Sequence, residues 1–197
     1  MAYKTNETKN RIIATALELI KKSGYDNITI NEICKASGIS KHTFYYYFSS
    51  KDDILLKFYT IPREITMEKL PEILTAENYF EQLWLIMEPS VDFFVVNGVE
   101  IVKCIFVANI TREVGTFDTT KNDNNLPLIA TSIIKKALEV GQIRNSSDPL
   151  QLMKIAIGNF MSITFLWAST GGSFDLKKKC RQSLEIILDV PNELRKL

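Results

Sequence analysis

The sequence predicts an all-α chain with a small three-helix head and a larger helical body. Two observations carry this. Apolar residues recur at helical spacing along most of the 197 residues, and no alternating strand of useful length interrupts them. Two short segments near the N-terminus also carry unusually complete helix-start signals, Thr29-Ile30-Asn31-Glu32 and Ser40-Lys41-His42-Thr43.

The first helix is expected over about 7–23. Ile12, Ile13, Ala16, Leu17 and Ile20 fall on one face, Lys21 and Lys22 suit the negative C-terminal end, and Gly24 can take the left-handed conformation that stops it. In the second, Thr29 caps the helix while Glu32 reaches back to it, a capping box, with Ile28 and Ile33 as a hydrophobic staple. Ile30, Ile33 and Cys34 turn inward and the helix ends at Ser37-Gly38. Ser40 caps the third, with Ile39 and Phe44 as its staple, so a tight glycine turn separates two helices whose starts are both fixed. A fourth begins at Ser50, carries Asp52 and Asp53 in its first turn, and breaks at Ile61-Pro62. Further helices are expected over about 63–74, 77–96 with Pro89 as a candidate kink, 98–114, 126–141, 149–169 and 174–189, with a polar loop over 116–125. Asp148-Pro149-Leu150-Gln151 reads as a start signal: an Asp cap, Pro at the first position and Gln at the third.

Composition narrows the function classes. The chain is 46% hydrophobic and 24% charged, with a net charge of +1 that hides an asymmetry. Residues 1–51 hold eight Lys/Arg against four Asp/Glu, an excess of +4 against −3 in the remainder. A basic head on an acidic body lets one region meet phosphate while the rest stays soluble. Cys34, Cys104 and Cys180 lie far apart and, with the single histidine His42, offer no metal-ligand spacing, so neither metal nor cofactor is expected. Such cysteine usage fits a reducing cytoplasm. The polar N-terminus lacks a signal-peptide run, and the apolar stretch from Ile155 to Ala168, interrupted by Asn159, Ser162 and Thr164, reads as a buried helix too short for a bilayer. A soluble, cytoplasmic protein with no membrane partner is expected. No nucleophile–base pair or phosphate loop is visible, so an enzyme is not.

The third helix carries the functional expectation. Phe44 and Phe48, four apart, define the side that docks on the first two helices. His42 and Tyr46 then point nearly opposite, flanked by Thr43 and Tyr45, and Tyr45-Tyr46-Tyr47 on so short a helix implies a partner surface. DNA fits, because a major groove admits one helix whose side chains reach base edges. Lys51, at the first position of the fourth helix, stands where the dipole disfavours a cation. Either an anion such as phosphate shares the site, or Asp52 and Asp53 offset it.

The stretch from Arg11 through Leu55 resembles the DNA-binding region of the TetR (tetracycline-repressor) family. The matching residues are Ile13, Ala16, Leu19, Gly24-Tyr25, Thr29-Ile30, Glu32-Ile33, Ala36-Ser37-Gly38-Ile39-Ser40, Thr43-Phe44-Tyr45, Phe48 and Ser50-Lys51. Cys34 stands where a small Ala is usual, and Tyr47 where His is common. The resemblance implies a helix-turn-helix domain over 1–50 and an effector-binding and dimerisation domain over 51–197, with 51–61 as connecting helix. It also implies that Lys41, His42, Thr43 and Tyr46 face bases while Thr29, Tyr45, Tyr47 and Lys51 hold phosphates.

Beyond Pro62 the resemblance is weak, with one local echo at Gly141-Gln142-Ile143-Arg144 before Asp148-Pro149. The helix from Pro149 to Ser169 is apolar nearly all round and needs cover on both sides. A two-fold homodimer through Leu152, Ile155, Gly158, Ser162, Leu184, Ile187 and Leu188 is therefore expected, a single monomeric core being the alternative. Trp84, Met87, Phe94, Phe106, Phe160 and Phe165 are either plain core or the lining of a cavity for an apolar or amphipathic effector. The expected function is a ligand-released repressor on a palindromic operator; the alternative is a helical small-molecule-binding protein with vestigial DNA binding.

Overall fold

A computed structural model describes residues 2–58, 66–112 and 125–196. The expected Ile61-Pro62 break, the first residues of the 63–74 helix and most of the 116–125 loop lie outside them. Every regular element among the described residues is helical, and the chain divides into two units, residues 1–61 with 100–118, and 62–99 with 119–197.

In the first unit, α1 (Ala2–Ser23) begins before residue 7 because nothing in Ala2-Tyr3-Lys4-Thr5-Asn6 breaks a helix. Its Ile12, Ile13, Ala16, Leu17 and Ile20 are buried, and Gly24 (φ 79°) ends it. Then come α2 (Ile30–Ser37), α3 (Lys41–Tyr47) and α4 (Lys51–Phe58); α2 packs on α1 and α3, and α4 on α1. Gly38 (φ 65°) supplies the left-handed residue between α2 and α3, its N–H closing onto the carbonyls of Cys34 and Lys35. The unit also takes in the body of α7 (Val99–Arg112), which buries Ile101, Val102, Ile105 and Ala108.

The second unit is a helical bundle. A short α5 (Leu70–Leu74) lies on α6 (Tyr79–Asn97), which runs unbroken through Pro89. Against α6 pack α8 (Leu126–Glu139) and α10 (Leu176–Ile187), and both meet α9 (Pro149–Ser169). The Asp148 carboxylate accepts the Gln151 N–H at 3.0 Å, the expected cap. At 21 residues α9 has the length and apolarity to cross a bilayer, which a run counted only from Ile155 understated. About half of it is core: Leu152, Met153, Ala156, Phe160, Ile163, Thr164, Trp167 and Ala168 are buried.

A buried ionic group ties this bundle together. The Arg181 guanidinium bonds Glu81 on α6 and Glu185 one turn along α10, and stands 5.4 Å from the ring centroids of both Phe80 and Trp84. Burial alone raises the Glu81 pKa, yet the hydrogen bonds and charge of Arg181, aided by Lys196, outweigh it and hold that carboxyl below its ordinary value. Removing one partner of such a pair leaves a buried uncompensated charge.

Candidate nucleic-acid interface

Each short helix of the head is fixed at its start. Thr29 Oγ1 accepts the Glu32 N–H at 3.2 Å, and the Glu32 carboxylate accepts the Thr29 N–H at 2.7 Å and its hydroxyl at 2.8 Å. Those hydrogen bonds hold the Glu32 carboxyl below its usual range. Ile28 and Ile33, the expected staple, are both buried. At α3, Ser40 Oγ accepts the Thr43 N–H at 3.0 Å and lies 2.9 Å from Thr43 Oγ1. Ile39 is half-buried beside a fully buried Phe44.

On α3 the two faces separate as the spacing requires. Phe44 and Phe48 are 0% and 1% exposed, their ring centroids 5.7 Å apart. On the other flank Tyr46 is 71% exposed and Tyr45 55%, with Lys41 and His42 also exposed and Thr43 and Tyr47 half-buried. The phenols are braced by neighbours rather than loose. Tyr45 meets Phe44 edge-on at 5.5 Å, and Tyr46 meets Tyr47 at 4.9 Å and 89°. A ring held this way loses less freedom when it contacts a groove than a flexible chain does.

The side chains expected at phosphates are placed less uniformly. Tyr45 stands outward, whereas the Thr29 hydroxyl is engaged in its capping box. The Lys51 ammonium turns inward: it donates to the Tyr25 carbonyl at 2.7 Å and the Ile28 carbonyl at 2.9 Å, and lies 4.2 Å from the Tyr25 ring centroid. These groups help to offset the dipole penalty of a cation at the start of α4. The Tyr25 hydroxyl in turn donates to Asp52. Sequence reasoning missed this clasp, and a second one in which Lys57 meets Asp53 at 3.1 Å and donates to the Tyr47 carbonyl. The i,i+4 spacing of Asp53 and Lys57 was the signal for the second; Tyr25 and Lys51, far apart in sequence, gave none.

In the second unit the expected cavity and interface residues sort differently. Trp84, Met87, Phe94 and Phe160 are buried, with Phe94 and Phe160 rings 5.8 Å apart. Phe165 is not among them. It lies on the opposite side of α9 and is half exposed, because it is five residues beyond Phe160 on a 3.6-residue period. Phe106 belongs to the first unit's segment. Among the expected interface residues, Leu152, Leu184 and Leu188 are enclosed in their own chain's core, in the unit where α9 and α10 pack on each other. Ile155, Gly158 and Ser162 are exposed and Ile187 half-buried, and the outer face they share also carries Leu166 and Ile186. Among the described residues no group of three His, Cys, Asp or Glu side chains could hold a metal ion.

Two short helices packed on each other, with an anchored inner face and an exposed aromatic flank, define a helix-turn-helix unit in an all-helical chain. Residues 12–58 match the family model described as bacterial regulatory proteins, tetR family. Over those residues, about a quarter of its length, the chain is similar to that family. It is 41% identical over 68 residues to the HTH-type transcriptional regulator YerO of Bacillus subtilis, an alignment covering 34% of this chain and 24% of that protein. Thus the chain matches about a quarter of that relative's length. It is 22% identical over 183 residues to the fatty acid metabolism regulator protein of B. subtilis, covering 90% of this chain and 92% of that one. Among solved structures, the fatty acid degradation regulator FadR of Bacillus halodurans superposes with a TM-score of 0.70 at 17% identity, covering 91% of this chain and 94% of its own. FadR of B. subtilis, solved in complex with stearoyl-CoA, gives 0.67 at 19%, covering 90% and 96%. At such identities these two likenesses establish the fold.

Proposed function

We propose that the chain is a cytoplasmic repressor that binds a palindromic operator as a homodimer and releases it when a small apolar or amphipathic effector occupies the helical body. The observation that carries this is the division of α3, with Phe44 and Phe48 fully enclosed while Tyr46 and His42 stand outward. Lys41, His42, Thr43 and Tyr46 read base edges, and Thr29, Tyr45, Tyr47 and Lys51 meet phosphates.

A dimer supplies two such helices, one per half-site, with centres about 34–36 Å apart when the half-sites are one turn apart. The exposed apolar face of Ile155, Leu166 and Ile186, with Gly158 and Ser162 permitting close helix approach, supports the second copy as partner. The acyl-CoA bound by the B. subtilis regulator makes a long-chain acyl-CoA the first effector to try, and the buried Phe94, Phe160 and Met87 give the body an apolar interior. Any effector acts only through different affinities for the DNA-binding and released states, with α4 as the connector.

The test is a salt titration of binding to operator and to unrelated duplex. His42→Ala and Tyr46→Ala should each reduce discrimination at the affected base pair by about 1–3 kcal/mol and leave the salt slope unchanged. Equal weakening on both duplexes would remove their assignment as base readers.

A further inference from the structure

At seven residues, α3 is too short to hold its own conformation, so its direction is set by what grips its ends. Ser40 holds the first end. At the other end the last carbonyls of a helix have no partner within it. Here the Tyr47 carbonyl accepts the Lys57 ammonium, reached across the turn from α4. That ammonium lies 3.1 Å from Asp53 Oδ2 and 5.1 Å from the Phe48 ring centroid. Asp53 Oδ2 also accepts the Ser49 N–H at 2.8 Å. One ion pair therefore closes the whole turn, its cation on the last carbonyl of α3 and its anion on an N–H two residues further on.

We propose that Lys57 and Asp53 are positioning residues for base reading, fixing the direction of α3 by clasping its C-terminal turn to α4 without touching DNA. This rests on the DNA-reading proposal above. A cation at a helix C-terminus matches the dipole, and a ring face beneath it adds to the hold. The pair is not built as a phosphate contact. Its ammonium is committed to a backbone carbonyl and to the carboxylate beside it, and the Lys57 and Asp53 side chains are 37% and 15% exposed. The turn being clasped is the one that carries Tyr46 and Tyr47. With either partner removed, that turn loses its anchor and the Tyr46 ring loses its fixed approach to the groove, while the basic surface that binds any duplex persists.

The experiment uses the full chain, the duplex it selects from random DNA, and a scrambled duplex of equal length and composition. Lys57→Met keeps the apolar stem over Phe48; Asp53→Asn keeps an acceptor for Ser49. These substitutions change net charge in opposite senses, so simple electrostatics predicts weaker binding to both duplexes for the first and tighter binding for the second. Positioning predicts that both variants lower the ratio of selected to scrambled affinity, on the order of tenfold, as loss of one charge-assisted hydrogen bond would give. Lys57→Arg should restore the ratio. A ratio unchanged in both variants overturns the proposal. So does a Lys57→Met loss that is equal on both duplexes and flattens the salt slope by about one ion. Should Lys57→Met unfold the head at the assay temperature, Asp53→Asn decides the matter. A wild-type chain that selects no sequence overturns the DNA-reading proposal, and this one with it.

Discussion

Phe44→Ala should strongly destabilise the head while leaving the helical body intact. Phe44 is fully enclosed, packing edge-on to Tyr45 and 5.7 Å from Phe48, so truncation leaves a cavity among side chains fixed by caps at both ends of the turn. Burying a phenyl ring and then removing it costs about 3–5 kcal/mol in a well-packed interior. Native domains hold only about 5–15 kcal/mol in total. The perturbation is thus a large share of the head's stability and a small concern for the rest. Urea unfolding followed by two signals separates them. Both tryptophans, Trp84 and Trp167, lie in the second unit, so their emission reports that unit, whereas far-UV circular dichroism reports every helix. Taking a urea dependence of about 2 kcal/mol per M, the variant should show an early dichroism phase displaced by roughly 2 M, with the tryptophan midpoint unmoved. Tyr46→Ala, on the exposed flank, should shift neither beyond about 0.5 kcal/mol. A Phe44→Ala loss below about 1 kcal/mol, or a tryptophan transition that moves in step, would refute the reasoning.

Three further outcomes are expected. Ile155→Lys and Leu166→Lys should convert a dimer to monomer in sedimentation without changing helical content; a mass that stays dimeric excludes this face. Acid should destabilise the second unit through Glu81. Its folded pKa is depressed, so the stabilisation is full above the unfolded value of about 4.3 and is lost as pH falls through the folded one. Tryptophan-monitored unfolding between pH 6 and 2 should show that slope, and Glu81→Gln should flatten it at the expense of stability near neutrality. Burial pushes the Cys180 thiol up to about 12, so a maleimide at pH 7.5 should leave it unmodified until denaturant opens the bundle. Labelling of the native chain at that position would contradict its enclosure.

The head was legible because its signals are local. Caps at Thr29 and Ser40, the Gly38 turn and the four-residue step from Phe44 to Phe48 each constrain the chain within a few residues, and all agree. The helix pattern of the body was readable for the same reason. Which side of each helix faces inward was not, since that depends on partners far along the chain. Leu184 and Leu188 share the spacing of an interface stripe and of a core stripe, and only the packing of α10 on α6 and α9 decides between them. Phe165 shows the reverse case, an apolar residue that composition alone assigns to the interior. Polar partners separated by long stretches of sequence, such as Lys51 with Tyr25 and Arg181 with Glu81, leave no periodic trace at all. The carbonyl partners of Lys51 in particular could not be read, because they are backbone groups that every residue has.

The most direct measurement is selection of duplexes from random DNA by the wild-type chain and by Tyr46→Ala. The account predicts enrichment of an inverted repeat by the wild type, and an altered preference at symmetric positions in both half-sites for the variant. Enrichment of no sequence, or of one that the substitution leaves untouched, would contradict the claim that the outward flank of α3 reads bases.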